Sequence, residues 1–149
     1  MLQAQAAVVD RLEAEMNDAV GLPLAWYEVL LMLEEAPTGR LRMHELAELL
    51  VLSRSAVTRF VDRMVAAGLV ERLVCDSDGR GYELAMTDGG RQMFRRAGRI
   101  HLRGIRQHFA AHVAADEAAV IETAMLRVRA ALTADPSPDN APTAAADAI

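Results

Sequence analysis

The sequence has little of several residue types, and each shortage excludes a class of structure or site. A single cysteine, Cys75, excludes an intramolecular disulfide and any metal or iron–sulfur site built from several thiolates. No apolar run approaches the roughly 18 residues that cross a bilayer, and the N-terminus lacks the charged and then apolar layout of a signal peptide. Aromatic residues make up only 4% of the chain, so leucine, valine, alanine and methionine must form the core. We therefore expect a cytoplasmic protein without a membrane segment.

Lysine is absent, and the 16 basic residues are all arginines with an uneven distribution. Between Arg40 and Arg106 there are 13 arginines against 8 acidic residues, whereas the rest of the chain has 3 arginines against 13 acids. The net charge of −5 therefore conceals a basic segment with a surplus of +5. Regional charge of this kind is typical of a nucleic-acid-binding module carried on an acidic scaffold.

Hydrophobic periodicity and turn residues divide the chain into six helices, a short strand and a hairpin. The predicted helices cover residues 3–18, 23–35, 43–50, 53–68, 88–113 and 116–132. The predicted strand covers residues 40–42, and the hairpin consists of two β-like runs at 69–74 and 82–86. Residues 134–149 contain three of the five prolines and are predicted to form a disordered tail.

Two short helices joined by a tight turn and followed by a hairpin predict a winged helix-turn-helix. The fold class is mainly α (α+β), with the winged helix-turn-helix over residues 23–87. The N-terminal helix (1–22) and the long C-terminal helices (88–133) are expected to form a homodimer. The apolar stripes of the first and sixth helices support a dimer, because the winged helix alone is too small to cover both.

The fourth predicted helix has the residues best suited to reading DNA. Its apolar residues recur at i, i+3, i+4 and i+7, which predicts one buried face containing Val57, Phe60, Val61 and Met64. A helix that enters the major groove presents polar side chains near its N-terminus. The candidate contacts are Ser53, Arg54, Ser55, Thr58 and Arg59, together with Arg42 on the short strand. An ordinary solvated helix face is the alternative.

The tip of the predicted hairpin, Asp78–Gly79–Arg80, favours a second DNA contact. A flexible loop can place one arginine in a narrow minor groove, and Asp78 would orient the guanidinium group of Arg80. The alternative is an exposed turn made of ordinary turn residues. Because the tip follows a polar helix of the right kind, we favour DNA contact.

Together these segments resemble the multiple antibiotic resistance regulator (MarR) family. The resemblance covers roughly residues 20–133 and rests on the segments LAELLVLSRSAVTRFVDRM (46–64), AGLVER (67–72), DGR (78–80) and MTDGG (86–90). Two positions depart from the family pattern, since Gly79 stands where arginine is frequent and Met86 where leucine is usual.

The resemblance implies a homodimeric winged helix that represses or activates transcription and often releases DNA when a small aromatic molecule or an oxidant binds. It places the DNA contacts on Ser53, Arg54, Ser55, Thr58 and Arg59 in the helix, and on Arg80, supported by Asp78, in the wing. We therefore predict a repressor that binds a pseudo-palindromic operator in double-stranded DNA, without a cofactor or a metal. The resemblance also makes Trp26, Tyr27, Met32 and His101 candidates for an effector pocket, although such residues are more often part of a core.

Three further features have competing interpretations. Cys75 lies in the predicted wing and is a candidate for thiol-based redox sensing, but the neighbouring Asp76 disfavours a reactive thiolate. His108 and His112 have the i, i+4 spacing of metal ligands, without a third ligand in the sequence, so a polar helix face is the ordinary alternative. A winged helix can also serve as a protein–protein interaction module, which the basic charge of the segment disfavours.

No arrangement of residues predicts an enzyme. Ser53, His101 and Asp62 are residue types of a catalytic triad, but Ser53 is a predicted helix cap without a nucleophile elbow around it. The sequence has neither a phosphate-binding glycine loop nor paired catalytic carboxylates.

Overall fold

The computed structural model describes residues 2–50, 52–74 and 81–133. Its helices are α1 (Leu2–Val20), α2 (Leu24–Glu35), α3 (Met43–Leu49), α4 (Arg54–Ala66), α5 (Asp88–His108) and α6 (Ala115–Thr133). Its strands are β1 (Arg40–Arg42), β2 (Val70–Val74) and β3 (Tyr82–Met86), and a short 3-10 helix covers Ala110–His112. The predicted fold, mostly helical with a winged helix-turn-helix, is confirmed. Cys75, Asp78, Arg80 and the predicted tail (134–149) lie outside the described residues.

The three strands form one antiparallel sheet in the order β1-β3-β2. Strands β2 and β3 pair along their whole length, from Val70 opposite Met86 to Val74 opposite Tyr82. Strand β1 adds to the other side of β3, with Arg40 opposite Ala85. The two β-like runs of the sequence therefore pair as the predicted hairpin, and β1 anchors that hairpin to the start of α3.

The junction between α4, β2 and α5 is fixed by two glycines and a threonine. Gly68 follows α4 with a φ of +71°, a conformation that favours glycine. The Thr87 hydroxyl donates to the Gly68 carbonyl (2.6 Å) and accepts from the Gly90 N–H (2.9 Å), so it caps α5. A Cβ atom at Gly90 would overlap the carbonyl oxygen of Leu69. The start of α5 is therefore packed directly against the start of the wing.

The hydrophobic core joins helices α1 to α5 to the sheet. Its fully buried members include Met16, Leu22, Val29, Leu30, Leu33, Leu46, Val57, Val61, Met64, Val70 and Leu84. Almost all are aliphatic or methionine, as the composition requires. Burial of each such side chain contributes about 1.5–3 kcal/mol relative to leaving it exposed.

Helices α1 and α5 pack closely because Gly104 of α5 leaves room for Leu12. A Cβ atom at Gly104 would lie 2.5 Å from Leu12 Cδ2. Leu12 and Met16 are both buried, whereas Val9 is exposed. Leu12 and Met16 therefore do not need a second copy to cover them, contrary to the prediction, because both are buried within the core of the same chain. Periodicity alone could not reveal this, since the partner lies far away in the sequence.

The predictions for the end of α5 and the start of α6 need correction. Helix α5 ends at His108 rather than near Val113, because Phe109 leaves the helical region with φ −125° and ψ −64°. Asp116 does not cap α6; instead the Glu117 carboxylate accepts a hydrogen bond from the Ala114 N–H (2.8 Å). Between the two helices, Ala110–His112 form a 3-10 helix and do not continue α5.

The chain divides into two compact units between Ala110 and Ala111. The first unit contains α1 to α5 and the sheet, and the second contains α6. Helix α6 exposes most of its large apolar side chains, namely Val120, Ile121, Met125, Leu126 and Val128. Within the described ranges, every helix is too short or too polar to cross a membrane.

Candidate nucleic-acid interface

The candidate interface begins at the N-terminus of α4, where Ser53 is the cap. The Ser53 hydroxyl accepts a hydrogen bond from the Ala56 N–H (3.3 Å), which confirms the predicted capping role. Ser55 lies beside it, with 3.3 Å between the two hydroxyl oxygens. The first backbone N–H groups of any helix lack intrahelical acceptors, so this end attracts anions such as phosphate.

The predicted contact residues of α4 share one exposed surface. Arg54, Ser55, Thr58 and Arg59 are all exposed, in the first half of the helix. The Thr58 hydroxyl donates to the Arg54 carbonyl (2.8 Å), so its oxygen can still accept a hydrogen bond from outside. The surface therefore offers two guanidinium groups and short hydroxyls.

The opposite side of α4 holds the helix against the core. Val57, Val61 and Met64 are buried as predicted, but Phe60 is only half-buried. The guanidinium carbon of Arg63 lies 5.8 Å from the centre of the Phe60 ring, within the range of a cation–π contact. Phe60 therefore lies at the margin of the core, where it also supports an exposed arginine.

One ion pair connects the sheet to α4 and another lies within the sheet, and sequence reasoning found neither. Arg72 of β2 lies 2.8 Å from the Asp62 carboxylate of α4, and Arg40 of β1 lies 3.5 Å from Glu83 of β3. Asp62 lies on the exposed side of α4, and its pairing with Arg72 ties the wing to that helix. Its position ten residues before Arg72 gave no local signal.

Arg42, the remaining predicted contact on the described chain, lies at the junction of β1 and α3. Its backbone N–H donates to the Glu45 carboxylate (2.7 Å), which caps α3. The side chain is half-buried. The structure thus places Arg42 at the start of the helix-turn-helix, whereas the other described candidates cluster on α4.

The hairpin strands carry an exposed apolar pair where the described part of the wing ends. Val74 and Tyr82 face each other across β2 and β3, and both are more than half exposed. Asp78 and Arg80, the predicted contacts of the wing, lie outside the described residues.

The predicted effector residues Tyr27 and His101 lie together, with their ring centres 4.8 Å apart. Tyr27 also stacks on Phe94 at 5.4 Å, a partner that the sequence analysis missed although Phe94 and His101 are seven residues apart on α5. Within the described chain, the buried His101 Nδ1 has no hydrogen-bond partner. Burial lowers the pKa of the His101 imidazole and raises that of the Tyr27 phenol.

Trp26 and Met32, the other two effector candidates, are half-buried on α2 and pack against the core. Two surface grooves instead flank α4. One is lined by Leu52, Ala56, Arg59, Phe60, Asp62 and Arg63, and the other by His44, Ala47, Glu48, Leu52, Ser53 and Arg54. The four predicted effector residues line neither of these grooves.

The remaining candidate chemistry has other roles in the structure. His108 Nε2 lies 2.7 Å from the Glu15 carboxylate, and this hydrogen bond lowers the pKa of Glu15. The helical spacing predicted for His108 and His112 is wrong, because α5 ends at His108 and His112 lies in the 3-10 turn. Across residues 2–50, 52–74 and 81–133, no three His, Cys, Asp or Glu side chains could share a metal ion.

The three residues of the triad type each make a different contact elsewhere in the structure. Ser53 caps α4 and Asp62 pairs with Arg72, while His101 stacks on Tyr27. They therefore do not form the hydrogen-bonded chain that a triad requires.

Comparison with known proteins gives consistent matches. A sequence model of the MarR family matches residues 20–81. The solved structure of Sco3205, a MarR family transcriptional regulator from Streptomyces coelicolor in complex with DNA, is 31% identical, with a TM-score of 0.82 over 94% of this chain and 87% of that chain. AbsC, a MarR family transcriptional regulator from the same organism, is 28% identical, with a TM-score of 0.82 over 90% of both chains. The multiple antibiotic resistance protein MarR of Escherichia coli (strain K12) is 29% identical over 119 residues, 80% of this chain and 81% of that protein.

Proposed function

Because the chain belongs to the MarR family of DNA-binding transcriptional regulators, we propose that it is a repressor that binds a pseudo-palindromic operator as a homodimer. The observation that carries this proposal is the N-terminal half of α4. There a capped helix end, two arginines and two short hydroxyls share one exposed surface, while the other side of the helix is buried. A major-groove helix needs this combination.

Each residue of the proposed interface has a chemical role. Arg54 and Arg59 are suited to bidentate contacts with guanine edges or phosphates. Ser53, Ser55 and Thr58 allow close approach and accept or donate single hydrogen bonds. Arg42, at the start of the helix-turn-helix, is assigned a phosphate contact.

The wing supplies the second proposed contact. Arg80, oriented by Asp78, would enter the minor groove beside the half-site that α4 reads. The ion pair between Asp62 and Arg72 supports this arrangement, because it ties β2 of the wing to α4. The DNA complex of Sco3205 gives independent support for duplex DNA as the partner.

The homodimer is supported by the exposed apolar side chains of α6. An exposed set of this size on one helix indicates a protein–protein contact. Within the segment 88–133, we assign the dimer contacts to the exposed apolar side chains of α6. A two-fold dimer places its half-sites about 10–10.5 base pairs apart, or a multiple of that distance.

We further propose that a small aromatic molecule releases the operator. The stacked cluster of Tyr27, Phe94 and His101 supports this proposal, because aromatic rings and an unpaired buried imidazole nitrogen suit such a molecule. An effector lowers operator affinity only by its preference for a conformation that does not bind DNA.

Footprinting on the DNA upstream of the protein's own gene tests the proposed function. We expect the wild type to protect two half-sites and Arg54→Ala to lose that protection selectively. Arg11→Ala, on the exposed side of α1, is a matched control that should footprint as the wild type does. Equal protection by Arg54→Ala and the wild type would contradict the assignment of α4 as the reading helix.

A further inference from the structure

The outward face of α5 carries a row of arginines that the proposed operator contacts do not use. Six of the 21 residues of α5 are arginine, and Asp88 is its one acidic residue. The six are Arg91, Arg95, Arg96, Arg99, Arg103 and Arg106, and all are exposed. At 3.6 residues per turn they fall within about 140° of arc and extend over about 22 Å of helix. We call this set the α5 arginine face.

The orientation of this face is fixed by the other side of the helix. Gly104 packs under Leu12 of α1. A Cβ atom added at Gly98 would lie 3.5 Å from the hydroxyl oxygen of Tyr27 on α2. Ala97, next to Gly98, is fully buried. Since α1 and α2 occupy the inner side of α5, rotation of the helix cannot bury the arginines.

Most of the positive charge on this face is not neutralised within the molecule. Arg91 lies 3.9 Å from Asp88, and Arg103 lies near enough to Glu15 to help lower the pKa of that carboxyl. In the described part of the chain, Arg95, Arg96, Arg99 and Arg106 form no ion pair. Like charges at i, i+4 repel each other along a helix, so a purely structural role does not account for the row.

We propose that the α5 arginine face is a second, sequence-independent binding surface for the sugar–phosphate backbone of duplex DNA. Duplex DNA presents one negative charge per roughly 1.7 Å of its axis, so a row of cations along a rigid helix meets a continuous line of phosphates. Guanidinium groups bind phosphate oxygens through paired N–H donors and stay charged at any physiological pH. This surface extends the proposed function but does not depend on α4 being the reading helix.

A second copy of the chain fits this face less well. Two such faces in contact would repel each other. Two acidic side chains of α1 are already engaged, because Glu13 accepts from the Leu24 N–H and Glu15 is bonded to His108. On α6, Glu117 caps the helix, and Asp116 and Glu122 point to different sides at 100° per residue. A polyanion therefore matches the face better than a protein surface of this composition.

Salt-dependent binding to a random-sequence duplex several turns long tests the proposal. We expect Arg95→Gln/Arg99→Gln to flatten the slope of log K against log salt by about 0.9 for each arginine removed, about 1.8 in all. Arg11→Gln/Arg127→Gln removes two exposed arginines from α1 and α6 and is the matched control. Its slope should equal that of the wild type, and circular dichroism should show that both variants are folded.

The outcomes separate this proposal from the operator assignment. An unchanged slope in Arg95→Gln/Arg99→Gln would overturn the proposal. If the sedimentation of this variant also changed, the face would instead be identified as a contact between copies. An equal flattening in the control would also overturn it, because the effect would then follow net charge alone. Arg54→Ala should keep the wild-type salt slope on random duplex to within about one phosphate contact. The assignment of α4 can therefore fail while this proposal stands, and this proposal can fail while the assignment of α4 stands.

Discussion

Asp62 on α4 and Arg72 on β2 form an ion pair, with 2.8 Å between Oδ1 and Nη1. The pair connects the proposed recognition helix to the first strand of the wing. Both side chains are partly exposed, so solvent screens the attraction between them. Its importance therefore lies in positioning rather than in stability.

Breaking this pair should weaken DNA binding more than it weakens folding. For Arg72→Ala and Asp62→Ala we expect a coupling free energy of only about 0.2–1 kcal/mol in a double-mutant cycle of urea unfolding. Operator affinity should fall several-fold in each single variant, because the wing is no longer tied to α4. Arg40→Ala, which breaks the longer pair with Glu83, is the control and should bind DNA more tightly than Arg72→Ala. Full operator affinity in Arg72→Ala would refute the positioning role.

Replacing Gly90 should destabilise the protein, whereas replacing the adjacent Gly89 should not. An added Cβ at Gly90 meets the backbone of Leu69, which cannot move without shifting β2, so we expect Gly90→Ala to cost about 1–3 kcal/mol. At Gly89 the nearest atom would be the Gly68 carbonyl oxygen at 3.4 Å. The higher helix propensity of alanine then makes Gly89→Ala neutral or stabilising, by up to about 1 kcal/mol. Thermal unfolding measures both, and equal stabilities would contradict the described junction.

Stability should fall as the pH drops below 6.5, because burial lowers the pKa of His101 from that ordinary value. The unfolded chain takes up a proton near pH 6.5, but the folded chain resists protonation until a lower pH. Its neutral form therefore stabilises the fold above pH 6.5, and this contribution is lost as the pH falls through the folded pKa. Urea unfolding of His101→Leu should lack this part of the pH dependence. His112→Gln, at an exposed position, should retain it, and identical profiles for His101→Leu and the wild type would disprove the account.

Charges introduced on α6 should dissociate the proposed homodimer. Val120 and Met125 are exposed apolar residues of α6, and an aspartate at either position would place a charge in the proposed contact. Sedimentation of Val120→Asp/Met125→Asp at micromolar concentration should give a monomer. Leu49→Asp changes an equally apolar and exposed residue of α3 and should remain a dimer. A dimeric double variant would place the interface elsewhere.

Local sequence patterns were sufficient for most of the fold. The cap residues Ser53 and Thr87, the positive φ of Gly68 and the apolar spacing of α4 each act over a few residues, so they can be recognised without knowing the tertiary structure. The candidate contacts of α4 were predictable for the same reason, because one face of a short helix determines which side chains remain outside.

Contacts between distant residues account for what sequence reasoning missed. The packing of Leu12 on Gly104 and the ion pair between Asp62 and Arg72 connect elements whose spacing carries no periodic signal. The end of α5 was misplaced because the chain leaves the helical conformation at Phe109, where the sequence has neither glycine nor proline. A helix end without a helix-breaking residue leaves no local signal in the sequence.

Competition binding at one salt concentration shows whether the N-terminal half of α4 reads the operator. The ratio of the dissociation constants for random duplex and for the footprinted site should be at least about 10³ for the wild type. Loss of a bidentate base contact in Arg54→Ala should reduce that ratio by a factor corresponding to about 1–3 kcal/mol, with random-duplex affinity much less affected. An unchanged ratio in Arg54→Ala, or a wild type that binds both duplexes equally, would contradict the account.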